Sequence, residues 1–309
     1  MRKQTILAFS SLLSLATAQY NISTARTAST TTIPSRLGFT LTWSDTFSQS
    51  STLSTTNWKY DIGTSYPSGP ANWGTGEIQT YTSSSKNVYI SPQGYLTIVP
   101  IRNPKTGAWT SARVETVQDG FKCQAGGKMV IEARILLPGG GNQEGVWAAF
   151  WAMGRKFRRG GNHGWPATGE WDIMEAVNGG STIVGTAHCG VFPGGPCDEP
   201  NGIGGTAEII RGVFNNYALT VDRTSTDWQK EYLSWSLNGI EYHRVSGYDI
   251  GDANAWSNLV HEPFFLLFNV AMGGGFPSGW AGRETPTSDT SSGYGMLVDW
   301  VAVYNKMYK

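Results

Sequence analysis

The run KMVIEARILL, residues 128–137, places Met129, Ile131, Ala133 and Ile135 on one side of an extended chain and Lys128, Glu132 and Arg134 on the other. A period of two marks a half-buried strand and does not suit an amphipathic helix. The same reading holds for YLTIV (95–99), YALTVD (217–222), YLSWSL (232–237), FFLLFNVA (264–271) and MLVDWVAVY (296–304). Asn238-Gly239, between YLSWSL and the extended run that starts at Ile240, is a strong hairpin signal because both residues accept positive φ. No long stretch has helical periodicity, and 39 glycines supply the turns that many short strands need. The pattern predicts an all-β protein, an antiparallel two-sheet sandwich of jelly-roll type.

The first residues stand apart. Arg2 and Lys3 precede an apolar run from Ile6 to Leu15, and Ala16-Thr17-Ala18 offers a small-residue cleavage site, so 1–18 reads as a secretory signal peptide. Residues 19–36 read as a flexible Ser/Thr-rich lead with a glycosylation sequon at Asn21. Residues 37–309 contain no linker, repeat or composition break, which predicts one domain. Without the two basic residues of the signal, 21 basic residues face 23 acidic ones, and only 15% of the chain is charged. That composition carries neither a nucleic-acid footprint nor a polybasic membrane patch. A secreted, extracellular monomer acting on an uncharged partner fits it. The 13 Trp, 13 Tyr and 12 Phe residues are more aromatic surface than most cores use, and aromatic faces are platforms for sugar rings. Cys189 and Cys197 bracket the Gly/Pro-rich loop GVFPGGP and are the expected disulfide, while Cys123 reads as a buried strand thiol.

In GEWDIMEAV (169–177), Glu170, Asp172 and Glu175 interrupt an otherwise apolar strand. Burying carboxylates together is costly through lost solvation and mutual repulsion, and sequences that accept the cost commonly use the acids in catalysis. Glu170 and Asp172, two apart, share a face, with Trp171 and Ile173 directed into the core. Glu175 comes three residues later, and regular pleating would send it to the opposite face. A β-bulge near Ile173 and Met174 would return it. Two carboxylates roughly 5–5.5 Å apart suit double displacement at an anomeric carbon, and a third would help separate their pKa values. The spacing alone arises by chance in unrelated chains, but the apolar neighbours Trp171, Ile173, Met174, Ala176 and Val177 distinguish this run from a solvated acidic strand.

The longer string WPATGEWDIMEAVNG (165–179) resembles the active-site strand of glycoside hydrolase family 16, in the bulged, laminarinase-like branch of fungal-type secreted endo-β-1,3(4)-glucanases. WSDTF (43–47), NWGTGEIQTYT (72–82), TSARVET (110–116), GVWAAFWAMG (145–154), GTAHCG (185–190), PFFLLFNVAMGGGFP (263–277) and VDWVAVY (298–304) resemble further family motifs in family order. The resemblance implies a jelly roll with a concave substrate cleft, Glu170 as nucleophile, Glu175 as general acid/base, Asp172 as assisting carboxylate, and no cofactor for the chemistry. It implies that Asn72 and Arg113 hydrogen-bond sugar hydroxyls, a surface ion pair being the alternative for Arg113.

Trp165 resembles the family's sugar-stacking tryptophan, with core packing as the alternative. Trp147 and Trp151 share one strand face, and one of them is expected to reach the cleft. His188 is expected either to border the acid/base residue or to be structural. Glu77 and Gln79 are expected to brace the cleft loop. Asp299 resembles a ligand of a structural calcium, although Thr46 stands where the family usually has a glutamate. The basic insertion GRKFRRGGNHG (154–164) is expected to form a rim loop, and Phe276 takes the place of the usual aromatic in the GGGFP motif. The activity implied is retaining hydrolysis of β-1,3 or mixed β-1,3/1,4 glucan. A galactan-cleaving or glycosyl-transferring enzyme, or a non-catalytic glucan-binding module, are the alternatives on the same fold.

Overall fold

Each of the alternating runs becomes a strand. The computed structural model describes residues 32–48 and 51–308, and the expected signal peptide (1–18) and the sequon at Asn21 lie outside them. Two antiparallel sheets carry the architecture. One runs, in spatial order, Ile240–Ser246, Tyr232–Leu237, Phe214–Asp222, Gly127–Leu136, Met296–Met307, Leu96–Ile98 and Val88–Ile90, with Thr40–Asp45 paired to Met296–Met307. The other runs Ile203–Glu208, Thr182–His188, Glu170–Val177, Val146–Gly154, Phe264–Met272, Arg113–Thr116 and Trp58–Asp61. This is the jelly-roll sandwich that the alternation predicts. The Asn238-Gly239 turn joins Tyr232–Leu237 to Ile240–Ser246, with φ of 52° and 81° at its two residues.

The facing sides of the two sheets meet in one core. Met129, Ile131, Ala133 and Ile135 are buried in it, together with Phe150, Trp171, Ile173, Trp235, Phe264 and Phe268. Phe150 stacks on Phe268 with ring centroids 4.7 Å apart, and Trp171 lies flat on Phe264. Such pairs add about 0.5–1.5 kcal/mol beyond the area they bury. Much of the aromatic surplus is therefore structural.

Val130, on the other side of its strand, is buried as well because Ile33 and Phe39 pack over it with Trp300 and Tyr304. The end of the expected flexible lead is thus docked: Tyr304 donates to the Pro34 carbonyl at 2.8 Å, and Arg36 pairs with Glu132 at 2.7 Å. Phe264–Met272 is buried on both faces. The core covers one face, and a second apolar layer of Trp151, Met153, Phe157, Phe265 and Leu267 lies over the other. Cys123 is buried as expected but sits in the loop before Gly127–Leu136, where burial pushes its thiol up to about 12.

Candidate active site

The strand Glu170–Val177 carries the bulge that its acid spacing requires. Against Val146–Gly154, Trp151 pairs with Asp172 and Phe150 with Met174, so Ile173 has no opposite residue. The same break falls between Asp172 and Glu175 against Thr182–His188. Trp171, Ile173, Met174 and Ala176 consequently all enter the core. The one-residue slip leaves Glu170, Asp172 and Glu175 together on the other face. Gly154 lets the chain return to start this strand. Its amide donates to the Gly169 carbonyl at 2.9 Å, and a Cβ there would lie 1.8 Å from the Thr168 carbonyl oxygen.

An indole N–H fixes each outer acid. Trp165 donates to Glu170 Oε2 at 2.7 Å, and Trp147 donates to Glu175 Oε1 at 2.9 Å. Burial, then the charge on Asp172, raises Glu175 to about 8, so it is protonated at neutral pH. Burial and Asp172 also push Glu170 well above the usual carboxylate range, opposed by His188 and the Trp165 N–H. His188 lies directly across the ladder from Glu170, which favours the first negative charge there.

Asp172 Oδ2 faces His188 Nε2 at 3.2 Å, and His188 Nδ1 lies 2.8 Å from Glu199 Oε2. Burial works against a charge on His188, but these carboxylates outweigh it and raise its pKa well above the ordinary value. His188 therefore contacts Asp172 and Glu199 directly, and its charge also reaches Glu175.

Aromatic side chains extend from the acids in two directions. Trp165 lies 5.7 Å from the His188 ring and 6.3 Å from Phe192, whose side chain is largely exposed. Trp165 packs against the second apolar layer, as its core-packing alternative expects, yet stays partly exposed with its N–H on Glu170. On the Glu175 side, Trp147 meets Phe276 edge to face at 5.4 Å, and Phe276 meets the half-exposed Trp280 at 5.7 Å. Of the two tryptophans on Val146–Gly154, Trp147 is the one hydrogen-bonded to an acid, while Trp151 lies across the ladder from Asp172. Trp151 is buried and donates to Asn269 Oδ1 at 2.7 Å. Asn269 in turn donates to Tyr81, and Tyr81 and Gln79 both donate to Glu77, which gives Glu77 and Gln79 the bracing role expected of them.

Arg113 is 5% exposed, bonded to Asp61 at 3.1 Å and to the Tyr66 hydroxyl at 2.8 Å, and enclosed by the rings of Tyr66, Trp73 and Trp151. The ion pair expected as the alternative is present but buried rather than at the surface. Asn72 is exposed, in a left-handed turn conformation with φ 51°. The basic insertion is not an open rim loop: it begins with the helix Arg155–Arg159, Phe157 is buried, and Arg158 reaches Glu115 at 3.2 Å and the Thr116 carbonyl at 2.9 Å.

Sequence reasoning missed Glu199, Asp61, Tyr66 and Asn269. Glu199 had one usable signal, its place two residues beyond a cysteine of the expected disulfide. The Cys189–Cys197 bridge is present. The residues at the expected calcium position do not suit a cation: the Asp299 carboxylate is fully buried and paired with Arg134, and Thr46 shares its hydroxyl with Ser48. No cluster of three or more acids, histidines or cysteines suited to a metal exists among the described residues. A cation beside the Arg134 guanidinium would be repelled, so the assignment of Asp299 as a ligand is withdrawn.

No family model matches the chain. It is 30% identical over 275 residues to the β-glucanase of Rhodothermus marinus, across 85% of this chain and 84% of that one. It is equally 30% identical to glucan endo-1,3-β-glucosidase A1 of Niallia circulans, covering 90% of this chain but only 39% of that longer protein. The crystal structure of an endo-1,3-β-glucanase from Streptomyces sioyaensis superposes with a TM-score of 0.84 at 40% identity, over 90% of this chain and 100% of that one. A GH16 endo-β-1,3(4)-glucanase, SCLam, superposes at 0.63 with 25% identity over 90% and 99% of the two chains. Identity at this level across nearly the whole of two glucanases, with the bulged acid strand in place, shows that the chain belongs to the β-glucanases of glycoside hydrolase family 16.

Proposed function

We propose that the chain is a secreted, monomeric, retaining endo-β-glucanase that hydrolyses β-1,3 or mixed β-1,3/1,4 glucan. The observation that carries this reading is the bulge that turns Glu175 onto the face of Glu170 and Asp172. In the first step a Glu170 oxygen attacks the anomeric carbon, the glycosidic bond breaks, and Glu175 gives its proton to the departing oxygen. In the second, the Glu175 carboxylate takes a proton from water as that water attacks the glycosyl–Glu170 ester, which restores both acids. The Trp165 and Trp147 N–H groups hold the two carboxyls in place through both steps.

The site supplies acid groups on one face beside flat aromatic walls, which is what an uncharged β-linked polysaccharide requires. Family relatives named as endo-1,3-β-glucanases support the linkage. The apolar leader at 1–18 and the disulfide support export. The test is a product profile on laminarin, barley mixed-linkage glucan and a β-galactan, run with the wild type and with Glu170→Gln and Glu175→Gln. Retained anomeric configuration, internal cleavage of the glucans and loss of turnover in both variants are expected. Near-normal turnover in either variant, or cleavage confined to the galactan, would overturn the reading.

A further inference from the structure

We propose that Glu199 is a positioning residue of this active site, orienting His188 and, through it, the Asp172 carboxylate. The proposal rests on the functional reading above but stands on its own geometry. Glu199 is 3% exposed, far from ordinary for a carboxylate, and both its oxygens are committed. Oε1 accepts the Cys189 N–H at 2.8 Å, and Oε2 lies 2.8 Å from His188 Nδ1. The loop that carries it is closed by the Cys189–Cys197 bridge and by paired backbone bonds between Gly194 and Glu199 at 2.7 and 2.6 Å.

The imidazole is confined on two further sides. Trp165 covers it at 5.7 Å, and Gly202 crosses it so closely that a Cβ there would lie 2.7 and 2.8 Å from its Cε1 and Nδ1. Its remaining nitrogen faces Asp172 Oδ2 at 3.2 Å. The Asp172 contact is an ion-pair approach, since that oxygen has no hydrogen-bond partner among the described residues, and an imidazole set between two carboxylates in this way is favoured as the doubly protonated cation. The charged and titratable groups facing it are Asp172, Glu170 and Glu175 from the acid strand and Glu199 from the bridged loop. The imidazole is thus placed as one fixed cation among four carboxylates, with Asp172 on one side and Glu199 on the other. Glu199 spends its two oxygens on His188 and the Cys189 N–H and acts by holding that cation, as an outer acid does for a metal-bound or catalytic histidine.

The first measurement uses the wild type. Nitrogen-15 NMR of the His188 ring should show both nitrogens protonated at neutral pH, and a neutral ring with an ordinary titration would overturn the proposal. Glu199→Gln keeps the shape and removes the charge. It should lower the His188 titration midpoint and reduce kcat on laminarin about 10–100-fold with KM nearly unchanged. An unmoved midpoint in a folded variant would refute the role.

His188→Gln supplies a control for folding and pathway. If Glu199 works through His188, adding Glu199→Gln to His188→Gln should cost nothing more, whereas additive losses would mark an independent structural effect and refute the proposal. Should the wild type itself fail to cleave laminarin, the glucanase reading falls while the ring-nitrogen result still decides the role of Glu199.

Discussion

Replacing Glu175 by Gln should make the protein inactive and, at alkaline pH, more stable. Glu175 rises from an ordinary 4.5 to about 8 in the fold, chiefly through burial and then through Asp172. A carboxyl whose folded pKa lies above its unfolded one stabilises fully below the unfolded value, and that contribution is lost as pH climbs through the folded value. At about 1.4 kcal/mol per pH unit, the gap between 4.5 and about 8 amounts to a ceiling of about 5 kcal/mol. Glu170 is pushed in the same direction by the same neighbours and shares the burden, so removing one acid recovers part of it, about 1–3 kcal/mol. Gln mimics the protonated acid and keeps an oxygen for the Trp147 N–H. At about 2–4 °C per kcal/mol for a domain of this size, Tm at pH 8.5 should rise by about 2–12 °C. At pH 4.5 the difference should nearly vanish. Calorimetric melts of both proteins at the two pH values decide the matter. A variant less stable than the wild type at pH 8.5, or one equally stabilised at both pH values, would refute the electrostatic reasoning.

The two indole donors should move opposite limbs of the pH–rate profile. Trp147→Phe removes a bond that favours ionised Glu175, so the alkaline limb of kcat/KM on laminarin should move up by about one pH unit, and an unmoved limb would argue against Glu175 as the acid. Trp165→Phe does the same to Glu170 and should move the acid limb up, narrowing the profile where the first variant widens it. Asp299→Ala leaves Arg134 without its buried partner and should destabilise by about 2–4 kcal/mol in urea titrations, while EDTA leaves the wild-type midpoint unchanged.

What could be read from the chain followed from local pattern. The strands follow from alternation, the hairpin from Asn238-Gly239, and the bulge from a two-then-three acid spacing that a plain strand cannot place on one face. Where the reading failed, a distant segment decided the outcome. Val130 shares a strand face with Lys128, Glu132 and Arg134, yet it is buried because Ile33 and Phe39 fold over it. A surface ion pair is one reading of Arg113 until Tyr66, Trp73 and Trp151 close around it from three separate parts of the chain. Asp299 looks like a ligand until Arg134, on the neighbouring strand, takes its charge. Charged side chains near the middle of a sheet are claimed by whichever partner the fold delivers, and sequence spacing does not contain that information.

The acid strand shows why this fold can hold a site so unfavourable to itself. A bulge normally weakens a ladder, and three clustered carboxylates oppose burial. Here the same extra residue that groups the acids also sends both Ile173 and Met174 into the core, so the strand gains an apolar anchor at the point where it loses a pair. Trp171 secures the strand on the Glu170 side by stacking on Phe264 and donating to the Leu259 carbonyl at 2.9 Å, and Trp235 secures its middle by donating to the Asp172 carbonyl at 2.7 Å. The backbone of the middle acid is therefore held from beneath by the opposite sheet while its carboxylate faces His188. Loosening that hold, for example by Trp235→Phe, leaves every acid in place yet frees the strand that aligns them. Catalysis should then fall more steeply than stability, because attack on the anomeric carbon tolerates less displacement than the apolar core does.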